Sequence, residues 1–181
     1  MDFLFIGNNL AADFVNTEVI SQHGRTDLLS SPELASAWFD SAGCARGIKI
    51  SERDLEETKE LRASIRRTFD RVVESKPLQV SDVELLNGRC NQLTRVLSST
   101  SHNFKLSFRL ETASDILALI AHTCCELLAS ARLSSLRKCA SEKCILYFVD
   151  TSKNQQRQWC SMDICGNREK VRKHYDKTKA Q

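Results

Sequence analysis

Cys139 and Cys144 are separated by four residues, and Cys160 and Cys165 repeat that spacing after an interval of fifteen. A C-x4-C pair presents two sulfurs from one tight turn. Two such turns brought face to face make a tetrahedral thiolate site suited to Zn²⁺. Four sulfur ligands leave no open position, which favours one structural ion per chain over a catalytic one. The start of the chain, Met1-Asp2-Phe3-Leu4-Phe5-Ile6-Gly7, has no basic flank and too short an apolar run for a secretory signal. The chain is therefore expected in the cytoplasm, where paired cysteines bind metal more readily than they form disulfides. Cys44, Cys90, Cys124 and Cys125 show no paired spacing. Cys90, Cys124 and Cys125 fall in expected helices and are read as small apolar residues of the core, with the adjacent Cys124-Cys125 as a weaker candidate thiol sensor.

The candidate metal site sits in the most basic part of the chain. Residues 132–181 hold 12 Lys/Arg against 5 Asp/Glu, whereas residues 1–131 hold 14 against 18. A basic tail follows an acidic body, which points to a polyanionic partner for the tail. No glycine-rich phosphate loop, nucleophile elbow or HExxH is present, so the protein is expected not to be an enzyme. His23, His102 and His122 have no carboxylate or cysteine partner at ligand spacing and are read as structural.

Elements able to position these residues follow from periodicity and capping. Phe3–Ile6 reads as a short buried strand, Leu10–Val15 as a helix or strand entering the core, and residues 18–30 as loop. Ser31-Pro32 opens a helix that Gly43 closes. Ser51 caps a second helix carrying Leu55, Leu61, Ile65, Phe69 and Val72, ended by Pro77. Ser81 and Glu84 suggest a capping box for a third, carrying Leu85, Leu86, Leu93, Val96 and Leu97. Thr112 begins a fourth, with Ile116, Leu117, Ile120 and Leu127. Phe104, Leu106, Phe108 and Leu110 alternate with polar residues, predicting a half-buried strand. Its partner is left open between Phe3–Ile6, the residues before His102, and another subunit. The boundary is placed between 131 and 132.

In the tail, the apolar run Ile145–Val149 has strand propensity, and a hairpin is expected between the two cysteine pairs. A helix is expected over Arg168–Lys179. Knuckle, hairpin, knuckle and helix together make a treble-clef-like module. The fold class is thus mainly α: a helical N-terminal domain (1–131) with a short β element, and a small zinc module (132–181). A module of ~45 residues is too small to hold itself by apolar burial alone, so bound zinc would supply the remaining stability.

The run Arg157-Gln158-Trp159-Cys160-Ser161-Met162-Asp163-Ile164-Cys165-Gly166-Asn167-Arg168 resembles the signature of the CGNR zinc-finger family. Cys139-x4-Cys144 with Phe148-Val149-Asp150 is similar to that family's first half. The front of the chain, through Asp13-Phe14-Val15-Asn16-Thr17 and its helical layout, resembles the ABATE domain. The resemblance implies a bacterial stress-responsive transcription regulator in which the ABATE part senses a ligand and the finger binds DNA. Gln158 departs from the pattern, standing where a second basic residue is expected before the tryptophan.

Candidate DNA contacts are Arg157, Asn167, Arg168, Lys170, Arg172, Lys173 and Lys177, with Arg157, Asn167 and Arg168 placed to read bases. Trp159 and Phe148 are assigned to the finger's core, and Gly166 to a tight turn. Asn16 and Thr17 are candidate contacts for a small-molecule effector, against the reading that they form a local turn or cap. A homodimer is expected, since regulators pair on symmetric half-sites. Two alternatives stand beside this: an RNA-binding or ribosome-associated zinc protein, and a small-molecule or redox sensor in which zinc only staples the tail.

Overall fold

The computed structural model describes residues 3–22, 24–44, 46–100 and 102–179; the side chains of Lys173, His174, Asp176 and Lys177 lie outside that description. The elements run α1 (Leu10–Val15), β1 (Glu18–Ser21), β2 (Gly24–Asp27), α2 (Pro32–Ser41), α3 (Glu52–Val73), α4 (Val80–Cys90), β3 (Arg95–Thr100), β4 (Asn103–Phe108) and α5 (Ala113–Ala129). A 3-10 turn over Ala131–Ser135 leads to β5 (Leu136–Lys138), β6 (Tyr147–Val149), a π-helical turn (Met162–Gly166) and α6 (Asn167–Lys179). The strands form three separate antiparallel hairpins, β1–β2, β3–β4 and β5–β6. The chain is mainly α with a small cysteine-rich module at its C-terminal end, as expected. No helix among the described residues is long and apolar enough to cross a membrane.

Helices α2, α3 and α5 begin where side chains satisfy their first N–H groups. The Ser31 side chain accepts from the Leu34 amide ahead of α2, with Pro32 in its first turn. Ser51 with Asp54, and Thr112 with Asp115, form complete capping boxes for α3 and α5. Leu55, Leu61, Ile65 and Phe69 of α3 face inward, as their spacing predicts.

Four local expectations are corrected. Phe3–Ile6 forms no strand; it runs as extended chain with Phe3, Leu4 and Ile6 against the apolar clusters. Residues 18–27 are not loop but the β1–β2 hairpin, held by an ion network: Arg25 and Arg66 pair with Glu18, and Arg62 with Asp27. The helix α4 starts at Val80 after Gln79, with no side-chain cap, so Ser81 and Glu84 make no capping box. It stops at Cys90, and Val96 and Leu97 lie on β3, which supplies the partner of β4.

The principal core gathers Phe14 from α1, Trp38 and Phe39 from α2, Phe69 from α3 and Ile116, Leu117 and Ile120 from α5. Leu136, Tyr147 and Val149 from beyond residue 131 join the same core. The alternation of a strand explains how: Tyr147 and Val149 point to the helices, while Phe148 points to a second cluster with Leu146, Cys139, Cys160 and Cys165. All three residues of β6 are buried.

A strand buried on both faces needs both edges bonded. One edge of β6 pairs with β5. Along the other, Asn16 replaces a neighbouring strand: its Nδ2 donates to the Tyr147 carbonyl at 2.8 Å and its Oδ1 accepts the Tyr147 N–H at 2.8 Å. The Val149 amide donates to the Gly7 carbonyl at 2.8 Å, and Asn8 Nδ2 donates to the Val149 carbonyl at 3.0 Å. The Gly7 amide donates to Asp13 Oδ1 at 2.7 Å, and a Cβ on Gly7 would lie 2.8 Å from the Ala12 Cβ, so only glycine fits against α1 here.

Two outcomes follow. Asn16→Ala leaves a buried N–H and C=O of Tyr147 without partners, and is expected to lower the free energy of unfolding by about 2–3 kcal/mol; urea unfolding with an unchanged slope checks this. Burial pushes the Asp13 carboxyl up to about 6 from 3.8, with hydrogen bonds from Gly7 and Ile6 offsetting part of the rise. The folded state then holds this proton more tightly than the unfolded chain does. Asp13 favours folding most below about pH 4, and that contribution is lost as the pH rises to about 6. Asp13→Asn keeps the acceptor and cannot titrate. Its stability relative to the parent should therefore improve by about 1–2 kcal/mol between pH 4 and pH 7, read from unfolding curves at both pH values.

Candidate metal centre

The first cysteine pair lies at the turn of the β5–β6 hairpin. The Cys139 amide donates to the Leu146 carbonyl at 2.9 Å and the Cys144 amide to the Ser141 carbonyl at 3.0 Å, folding this stretch into a knuckle. The hairpin therefore straddles the first pair and does not lie between the two pairs, where it was expected; residues 150–161 contain no strand. The second pair is shaped by Ser161. Its Oγ accepts the Ile164 N–H at 3.3 Å, and its carbonyl accepts those of Cys165 and Gly166 at 3.0 and 3.1 Å. The π-helical turn so formed runs directly into α6. A bond from the Ala140 amide to the Gln158 carbonyl, 2.9 Å, joins the two knuckles.

These turns bring Cys139, Cys144, Cys160 and Cys165 together, with all four sulfurs within 4.8 Å of one another. Cys144 and Cys160 are 3.7 Å apart and Cys160 and Cys165 3.5 Å. Zn–S bonds of ~2.3 Å in a tetrahedron require S–S edges of about 3.8 Å. Donor type, number and spacing all fit one structural zinc ion. Protons hold such a cluster unevenly. Hydrogen bonds from Cys144 and Cys160 draw the Cys139 thiol far below its usual range, while hydrogen bonding with Cys139 pushes Cys144 up to about 12 and Cys160 upward as well. A divalent cation would take all four sulfurs as thiolate ligands at once and offset two of their four negative charges.

Backbone and side-chain donors serve the sulfurs. The Cys160 amide reaches Cys139 Sγ at 3.4 Å, and Arg168 Nη2 reaches Cys165 Sγ at 3.3 Å. Phe148 and Trp159 pack against the cluster as its small core. Gly166 does not make a left-handed turn. Its lack of a side chain matters for space, since a Cβ there would meet Met162 Sδ at 2.5 Å and Trp159 Cδ1 at 3.2 Å.

The predicted nucleic-acid contacts divide. Arg157 is taken up internally: its guanidinium lies 4.2 Å from the centre of the Phe148 ring and donates to the carbonyls of Trp159, Ile6 and Cys160. These contacts brace the finger. Asn167, Arg168, Lys170 and Arg172 are exposed on α6. Asn167 donates to the Asp163 carbonyl at 3.3 Å, and Arg172 pairs with Glu169 at 2.8 Å. The side chains of Lys173 and Lys177 lie outside the described residues.

Asn16 and Thr17, the predicted effector contacts, are each 1% exposed. Asn16 holds Tyr147; Thr17 donates to the Phe14 carbonyl at 2.7 Å and accepts from Arg62 at 2.9 Å. Their polar atoms are engaged inside the fold: Asn16 is the C-cap of α1 and its side chain adds a long-range lock on Tyr147, and Thr17 bonds locally to Phe14.

Sequence reasoning missed the residues that seat the finger on the helices. Lys138 Nζ donates to Asp70 at 2.7 Å and the Tyr147 hydroxyl donates to the same carboxylate. Burial alone would raise Asp70, but these two donors hold its carboxyl below the usual range. Arg66 donates to the Ile145 carbonyl at 3.0 Å and to that of Val15 at 2.6 Å. Glu169, buried, accepts from Ser141 at 2.8 Å and so fastens α6 to the first knuckle. An acid inside a basic helix was the one available signal for that last contact.

Two family models match the chain: ABATE, described as "Putative stress-induced transcription regulator", over residues 8–131, and the CGNR zinc finger over residues 135–178. No curated protein matches its sequence.

Purified protein is expected to hold one zinc per chain by elemental analysis, and Cys160→Ala to hold almost none. Arg168→Ala, which removes a donor to a ligand sulfur, should weaken metal affinity about 10–100-fold in competition with a chelator.

Proposed function

We propose, from the premise that this chain belongs to the ABATE family and ends in a CGNR zinc finger, that it is a DNA-binding transcription regulator that does no catalysis. The observation that carries this reading is α6. It leaves the cysteine cluster with Asn167, Arg168, Lys170 and Arg172 exposed along it. A helix anchored to a metal-folded knuckle can present cations at fixed positions, which gives phosphate contacts a defined register. Glu169, the acid in the first turn, is buried against Ser141 and pairs with Arg172, so it offsets part of the charge of that one cation. Lys170 and Arg172 are assigned to phosphates and Asn167 to a base edge. Arg168 supports the sulfur cluster and approaches the nucleic acid from the same position. The helical body is assigned to signal reception, transmitted through Asn16, Arg66 and Asp70, which grip the finger's strand.

Zinc-loaded protein should bind duplex DNA with an affinity that falls steeply with salt. Lys170→Ala with Arg172→Ala should lower the slope of log K against log salt by about 2, while zinc content stays at one per chain; fluorescence anisotropy over a salt series measures both. Unchanged binding by this variant removes α6 from the interface. Preference for structured RNA over duplex DNA in competition transfers the reading to RNA.

A further inference from the structure

Outside the zinc cluster, two thiols meet across the helical body. Cys90 is the last residue of α4 and Cys125 lies in α5, and their sulfurs are 3.4 Å apart. Both are free and partly exposed, whereas the neighbouring Cys124 is fully buried. Thirty-five positions of sequence separate them, so this contact is made by the fold and not by local chain geometry. Closing a 3.4 Å contact to an S–S bond of ~2.05 Å takes small side-chain rotations. The end of α4 can absorb that adjustment, because Cys90 is followed by the cap at Asn91 and the loop into β3. Nothing in the zinc module uses either sulfur.

We propose that Cys90 and Cys125 form a reversible disulfide by exchange with a low-molecular-weight disulfide such as oxidised glutathione. In the first step one of the two, as thiolate after losing its proton to water, attacks a glutathione sulfur. A protein–glutathione bond forms, the glutathione S–S bond breaks, and one glutathione thiolate leaves and takes up a proton. In the second step the other cysteine loses its proton and attacks the protein sulfur of that mixed disulfide. The Cys90–Cys125 bond forms and the second glutathione leaves. Two protein thiols are oxidised and one glutathione disulfide is reduced to two thiols. Burial and the adjacent Cys125 sulfur push the Cys90 thiol up to about 12, so Cys90 is slow to attack at neutral pH, and exchange is read at equilibrium. The new bond closes a loop that contains the whole β3–β4 hairpin and links the end of α4 to α5.

The test equilibrates zinc-loaded full-length protein in glutathione buffers of graded ratio, blocks free thiols by alkylation and maps peptides without reduction. The expected result is a peptide linking Cys90 to Cys125 in oxidising buffer, with zinc still at one per chain, loss of the link on returning to reduced glutathione, and a higher urea midpoint for the linked form. Cys90→Ser and Cys125→Ser should each abolish the link; if either fails to fold, the map of the parent protein still decides. Alkylation of both cysteines at every ratio, mixed glutathione disulfides that do not resolve, or a link that appears only after zinc is lost would overturn the proposal.

Discussion

The three-residue strand Tyr147–Val149 is the piece on which the rest depends. It is buried on both faces, with Tyr147 and Val149 in the core of the helical body and Phe148 in the core around the cysteines. Such a strand is stable only if neither edge is left with open amides and carbonyls. β5 satisfies one edge, and the segment Gly7–Asn16 satisfies the other through two backbone groups of Gly7 and Val149 and two asparagine side chains. The Asp13-to-Asn16 stretch therefore acts as a bracket. Asp13 fixes Gly7, and Asn16 clasps Tyr147, so the N-terminal turn of the chain shapes the seat of the finger.

Around the sulfurs the same economy of contacts recurs. Four thiolates repel one another unless a cation sits among them, and the surrounding donors are arranged for that charge: a backbone amide to Cys139 and a guanidinium to Cys165. Glu169 then links α6 to the first knuckle through Ser141, so both ends of the site control the direction of the basic helix. Lys138 and Tyr147 converge on Asp70 of α3, and Arg66 reaches Ile145, which joins the finger's orientation to the long central helix.

What the sequence made legible was set by range. The cysteine spacing, the Ser31, Ser51 and Thr112 caps and the apolar periodicity of α3 and α5 are local signals, and all match the fold. Val96 and Leu97 misled because they continue the helical spacing of Leu86 and Leu93; pairing with Leu106 and Ser107 overrides that local preference. The β1–β2 hairpin is not readable locally because only Val19 and Ile20 of its eight strand residues are apolar, and because it is held by Arg62 and Arg66, remote in sequence. Asn16 and Thr17 read as ligand contacts because polar tips after an apolar run can face a pocket, and Arg157 because base readout calls for Arg or Asn at a groove edge. Their partners, Tyr147, Arg62 and the Phe148 ring, become visible only when the chain is folded.

The shared strand also bears on how such proteins can diversify. A genetic crossover near residue 131 would join one parent's bracket to another parent's strand, and the amide of Asn16 and the side chains of Tyr147 and Val149 would have to match by chance. Shuffling of helical body and finger is thus constrained chiefly by how the Tyr147 and Val149 side chains pack among the helices.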